Sequence, residues 1–122
     1  MDRPGFERWL DAYFAAWETN DPDDVGALFT EDAVYRLGPF RTPWIGRDEI
    51  VRRWVAGGVD DVHHRYEVLA VEGEVGVARW HVTTQLPGDP VRVEQDGVLV
   101  ITFAPGGRCR EHAEWFDRRE LG

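Results

Sequence analysis

The hydrophobic period of this chain changes once, near its middle, and few architectures accommodate that change. In the first half apolar residues recur at three- and four-residue spacing; in the second they fall in long β-branched stretches broken by Gly and Pro. Phe6, Leu10, Tyr13, Phe14 and Trp17 make one stripe and predict a helix. Asn20-Asp21-Pro22 ends it and opens a short second helix running through Phe29. Asp21 suits the N-cap there, Pro22 the first helical position, and Asp23 and Asp24 the positive end of the helix dipole. Ala33 to Leu37 reads as a short strand, and a Pro-rich loop from Gly38 to Gly46 carries Phe40 and Trp44. A third helix is expected from Arg47 to about Ala56, with Ile50, Val51, Trp54 and Val55 inward and Gly57-Gly58 as its stop. Four strands follow: Val62 to Val71, Val75 to Leu86, Val91 to Phe103 and Cys109 to Asp117. The turns between them hold Gly73, Pro87-Gly88-Asp89-Pro90 and Pro105-Gly106-Gly107, as in a meander. Helices first and strands second give an α+β fold, with three N-terminal helices on one face of a mostly antiparallel sheet of about five strands. The 122 residues form one domain, 1–122, with one core.

Composition narrows the chemistry. The chain has no Lys and no Ser, and its 14 basic residues are all Arg. A Ser-His-Asp triad, a Schiff-base lysine and a Walker A loop are therefore excluded. A single Cys, Cys109, forms no disulfide within the chain and no thiolate cluster, and no base stands near it to activate it. A net charge of −9 disfavours nucleic acid and anionic membranes as partners. No apolar run reaches the roughly 18 residues of a membrane helix, and Met1 to Gly5 lacks a signal-peptide core, so a cytoplasmic location is expected. Arg in place of Lys, with abundant Gly, Asp and Val, fits a GC-rich bacterial genome.

Alternation along strands sorts the ionisable groups into faces. Arg79 and His81 share one face of their strand. On the last strand Arg110, His112, Glu114 and Phe116 share a face, opposite Cys109, Glu111, Ala113, Trp115 and Asp117. Helices on one side leave a cavity against the sheet, where buried groups shift their pKa values and become useful for proton transfer. Which face is concave stays open at this point.

Tyr13-Phe14-Ala15-Ala16-Trp17, Asp21-Pro22, Ala27-Leu28-Phe29-Thr30-Glu31-Asp32-Ala33 and Gly46-Arg47-Asp48-Glu49-Ile50 together resemble the SnoaL-like branch of the nuclear transport factor 2-like superfamily. Gly107-Arg108 and Glu114-Trp115-Phe116-Asp117 are similar to that family's last strand. The resemblance implies a cone-shaped α+β barrel with a pocket inside it, and a homodimer through the outer face of the sheet. The fold hosts isomerases, dehydratases, epoxide hydrolases, polyketide cyclases and binding domains alike. Against the limonene epoxide hydrolases, Tyr35 and Arg79 occupy the Tyr and Arg positions and Glu114 stands at the last Asp. Leu37 replaces their Asn, and His81 replaces their Asp. Against ketosteroid isomerase, Tyr13 occupies the position of the oxyanion-hole Tyr, and Leu37 that of the catalytic Asp. His81 and Glu114 match by type the His and Asp of SnoaL cyclases.

These residues carry two readings each. Glu114 is a paired, partly solvated carboxylate or a general base; His81 a hydrogen-bonded core histidine or a proton donor. Arg79 orients a partner under both. Tyr35 is a core aromatic or a donor to a substrate oxygen. Tyr13 belongs to the helix stripe, where packing is its expected role, and His112 is a secondary candidate beside Glu114. Leu37, Trp44, Trp54 and Phe116 join Tyr13 and His112 as expected pocket lining, while Trp115 faces outward as a dimer contact. His63 and His64 point opposite ways and are expected in structural or surface roles. A ligand set of His64, His81 and His112 lacks a spacing signature, so no metal is expected. The leading expectation is a cofactor-independent acid–base enzyme acting on a small, apolar molecule. Glu114 is its base, His81 its acid, Arg79 its orienter and Tyr35 its oxygen-binding donor. The alternative is a small-ligand-binding or dimerisation module without catalysis.

Overall fold

The computed structural model describes residues 1–121. Among these the elements run α1 (Arg3–Thr19), α2 (Pro22–Gly26), β1 (Phe29–Arg36), β2 (Trp44–Ile45), α3 (Arg47–Ala56), β3 (Asp60–Glu72), β4 (Val75–Gln85), β5 (Arg92–Phe103) and β6 (Cys109–Leu121). Local chemistry sets the helix ends. The Asp2 carboxylate accepts from Gly5 N–H at 2.8 Å, and Asn20 closes α1 in the left-handed region at φ 50°. The Asp21 carboxylate accepts from Asp23 N–H at 2.8 Å to start α2. That helix stops at Gly26 rather than running through Phe29, because Phe29 is fully buried as the first residue of β1. The loop before α3 holds a strand not anticipated, β2, whose Trp44 and Ile45 pair with Tyr35 and Val34.

The six strands form one sheet in the order β2-β1-β6-β5-β4-β3. β3 to β6 are the expected antiparallel meander, and β1 adds to β6 in parallel. This is the α+β architecture of helices on a mostly antiparallel sheet. Helix α1 lies across the sheet with Phe6, Trp9, Leu10, Tyr13, Phe14 and Ala16 buried. Its approach is close at Gly76, where an added Cβ would sit 2.6 Å from the Phe6 ring.

Strand parity then decides which side chains see the helices. On β4 the inward residues are Ala78, Trp80 and Val82; on β6 they are His112, Glu114 and Phe116; on β1, Ala33 and Tyr35. Between Cys109 and Glu111 the β6 register slips against Phe103 and Thr102. The slip turns Cys109 inward, fully buried, and leaves Arg110 exposed, correcting the face assigned to both by simple alternation.

Candidate functional site

A cavity of about 160 Å³ opens between α1, α3 and the sheet. Its wall is largely aromatic: Trp17 from α1, Trp54 from α3, Tyr35 and Trp44 from the paired β1 and β2, and Trp80 and Phe116 from the sheet. Trp44 stacks on Tyr35 at 4.9 Å between ring centroids, and Trp80 meets Phe116 at 5.6 Å. Gly97 lies between those last two in register, and a Cβ there would fall 2.6 Å from the Phe116 Cβ. Without a side chain at that position, the two rings can close the floor together. Leu37, Gln95 and the Gly57–Val59 turn complete the rim with Asn20 and Arg53.

One carboxyl lines this cavity. Glu114 is 4% exposed, and its Oε2 has no hydrogen-bond partner in the protein. Burial raises its pKa to about 8; the exposed Arg41 pulls weakly the other way. At neutral pH the side chain is therefore mostly a neutral acid, able to donate. The indole N–H groups of Trp17 and Trp80 are also buried without partners. Trp17 N–H lies near the Tyr13 hydroxyl, but the two do not meet hydrogen-bond geometry.

Behind the wall runs a closed polar chain. The Tyr13 and Tyr35 hydroxyls bond at 3.0 Å, and Tyr13 in turn meets His112 Nε2 at 3.2 Å. His112 lies face to face with Tyr35 at 4.0 Å, as their paired positions on the parallel strands require. Burial drives the His112 pKa down to about 3, so the ring is neutral, and burial holds both phenols protonated well above their usual range. A neutral His112 with an unpartnered Nδ1 can accept at one nitrogen and donate at the other.

Several expectations need correcting. Arg79 and His81 do not share the wall with Glu114. Trp80 between them points inward, which puts both on the outer face of the sheet. There His81 Nε2 meets Glu94 at 2.8 Å and Arg79 meets Asp96 at 3.5 Å. Arg119 bonds the other oxygen of Glu94, whose pKa is lowered first by His81 and then by Arg119. The cavity brings together Glu114, Tyr35, Leu37, Trp44, Trp54 and Phe116; Tyr13 and His112 stand one layer behind it. Phe40 is 99% exposed and lies outside the cavity lining. His64 stacks on Phe14 at 4.6 Å and exposed His63 bonds Asp61, so neither meets His81 or His112. Burial raises the Cys109 pKa, which keeps it an inert thiol.

Trp17, Trp80 and Gln95 were not anticipated as lining. The signal was present on β4: Ala78, Trp80 and Val82 are apolar at alternate positions, with Arg79, His81 and Thr83 between them. The apolar set must face the core.

The profile of the SnoaL-like domain matches residues 10–112. None of the curated proteins matches the chain. Three solved structures share the fold at low identity. The first is SalBIII, an epoxide hydrolase/cyclase-like enzyme of pyran ring formation in the polyether salinomycin. It is 20% identical, covers 95% of this chain and 93% of its own, and has a TM-score of 0.78. A candidate scytalone dehydratase from Novosphingobium aromaticivorans DSM 12444 is 15% identical over 98% of this chain and 87% of its own, at 0.75. A protein with a ketosteroid isomerase-like fold from Catenulispora acidiphila DSM 44928, in complex with trimethylamine, is 17% identical over 88% of this chain and 83% of its own, at 0.74. With helices on a mostly antiparallel sheet, a cavity between them and the profile match over most of its length, the chain belongs to the SnoaL-like domain family.

Proposed function

We propose that this protein is a cofactor-independent acid–base enzyme of the isomerase, cyclase or hydrolase type, acting on a small, largely apolar molecule in the cavity between helices and sheet. One observation carries the reading: the Glu114 carboxyl lines an aromatic cavity, with an oxygen that has no protein partner and a pKa raised to about 8. Buried polar groups are almost always paired, so an unpaired carboxyl in a cavity suits a group that meets its partner in the substrate. At neutral pH Glu114 is the acid rather than the base. Its proton passes to the oxygen of a breaking C–O bond, water or a hydroxyl of the same molecule attacks the carbon, and the attacking group's proton returns to the Glu114 carboxylate. The Tyr35 ring shapes the wall, and its hydroxyl is held by Tyr13. The solved structures named as epoxide hydrolase/cyclase-like and as a candidate dehydratase agree with chemistry of this class.

A non-catalytic binding module is the second reading. It is favoured by the displacement of Arg79 and His81 to the outer face, which leaves the cavity without a histidine among its described lining residues. Turnover of cyclohexene oxide and cyclopentene oxide to their diols separates the two. The enzyme reading expects a rate that falls as pH rises through about 8 and drops about 100-fold or more in Glu114→Gln. Binding of these compounds without turnover in the parent protein supports the module.

The same outer face suits a second copy of the chain, and we propose a homodimer there. Trp115 is 49% exposed, next in register to Val98. Sedimentation equilibrium showing a monomer at tens of micromolar would remove this assembly.

A further inference from the structure

The charge-free hydrogen-bond inventory of the cavity says what kind of molecule it takes. Trp80 is 2% exposed and its N–H has no partner, whereas the Trp17 N–H is buried against the Tyr13 hydroxyl, behind the wall. An indole N–H can only donate. Glu114 adds a second unpartnered group to the same lining. The acceptors nearby are engaged or peripheral. The Tyr35 hydroxyl bonds Tyr13; Asn20, whose Nδ2 donates to Val55 O at 3.0 Å, and the partly exposed Gln95 offer their amide oxygens only at the rim. Arg53 pairs through Nε with Glu49 at 3.0 Å and is half-exposed at the rim, so its charge lies at the mouth rather than inside. An unmet donor in a low-dielectric cavity is costly, and the cost is relieved by an acceptor on the ligand.

From this excess of donors we infer that the cavity selects a neutral, single-ring molecule whose ring or carbonyl oxygen accepts from the Trp80 N–H group and faces Glu114. Carboxylates, phosphates and pure hydrocarbons are the classes it rejects. Size agrees with the chemistry: about 160 Å³ is close to the ~150 Å³ of an apolar cavity that holds one benzene ring, so a fused polycycle does not fit. The inference rests on the cavity being the site of the proposed acid–base chemistry, and it names the substrate class for that site.

The test pairs cyclohexanone with methylenecyclohexane, which keeps the shape and replaces the acceptor oxygen by a CH₂ group. Calorimetric titration of the whole protein should show the ketone binding at least about tenfold tighter, the worth of one to two hydrogen bonds. Trp80→Phe keeps a ring and loses the donor; it should cut that preference about fivefold, read as the ratio of the two affinities within each variant so that the change in ring size bears on both probes. Should Trp80→Phe fail to fold, ¹⁵N spectra of the parent protein answer the same question. One of the six Trp indole N–H signals should move downfield with ketone and not with hydrocarbon, and it should persist in Trp17→Phe. Equal affinity for the two probes, unmoved indole signals, binding of neither probe, or tighter binding of cyclohexanecarboxylate overturns the inference. Its failure is separable from failure of the proposed function. Glu114→Gln retains a donor at that place, so ketone preference persisting there while the parent protein shows no turnover sinks only the enzyme. Turnover with no ketone preference sinks only the substrate class.

Discussion

At the scale of residues, the cavity and the layer behind it divide the polar work. Tyr13 is the middle member of a three-part chain, with its hydroxyl facing both Tyr35 and His112 Nε2. Tyr13→Phe therefore strands two buried groups, whereas Tyr35→Phe removes one end of the chain. The expected cost is about 2–3 kcal/mol for Tyr13→Phe and about 1 kcal/mol for Tyr35→Phe, read by urea denaturation. Equal losses would mean that water, rather than His112 and Tyr35, satisfies Tyr13. Tyr13 and Tyr35 were legible as candidates from their residue type and their places on a helix stripe and a short strand. Their pairing was not, because the two residues are 22 positions apart in the chain and meet only when helix and strand pack together. The pKa of Glu114 was unreadable for a related reason. The sequence shows Arg residues that pair with a carboxylate, but burial without a pairing partner depends on the packing of three helices.

At the scale of elements, β4 decides the site. A one-residue change of phase would have put Arg79 and His81 inside and Trp80 outside. The phase is fixed by Ala78, Trp80 and Val82 against the helices and by ion pairs on the other surface. Substitutions at adjacent positions should therefore differ sharply. Trp80→Ala empties part of the cavity floor and should cost about 3–5 kcal/mol, whereas Arg79→Ala should leave the melting temperature little changed. A large loss in Arg79→Ala with a small one in Trp80→Ala would reverse the assignment of faces. The helices and the four-strand meander were readable from caps, period and turns. The missed parts have physical causes. Phe29 was read as the end of a helix because a single buried aromatic suits either period, and β2 is only a two-residue pairing within a Pro-rich loop. Cys109 changed face because a register slip leaves no mark in residue type.

At the scale of the whole molecule, two buried groups with opposite shifts set the dependence of stability on pH. Glu114 binds its proton more tightly when folded, with a pKa raised from 4.5 to about 8. Its contribution is complete below pH 4.5 and is lost as pH rises toward 8, because the folded state then holds a proton that the unfolded state has released. His112 binds its proton less tightly when folded, with a pKa lowered from 6.5 to about 3. Its contribution is complete above pH 6.5 and is lost as pH falls toward 3. Each group changes stability by about 1.4 kcal/mol per pH unit within its window, so the two cancel where the windows overlap. The expected profile is a plateau between about pH 4.5 and 6.5 with a fall on either side. Thermal denaturation across this range should lose the alkaline fall in Glu114→Gln and keep the acid one; an unchanged alkaline fall would place its origin elsewhere. Fold, cavity and chemistry meet in the protonation state of one side chain, and a ¹³C-carboxyl NMR titration of the folded protein observes it directly, with Glu114→Gln identifying the signal. The account predicts that the Glu114 signal titrates with a midpoint near 8; a midpoint near the ordinary 4.5 would contradict it.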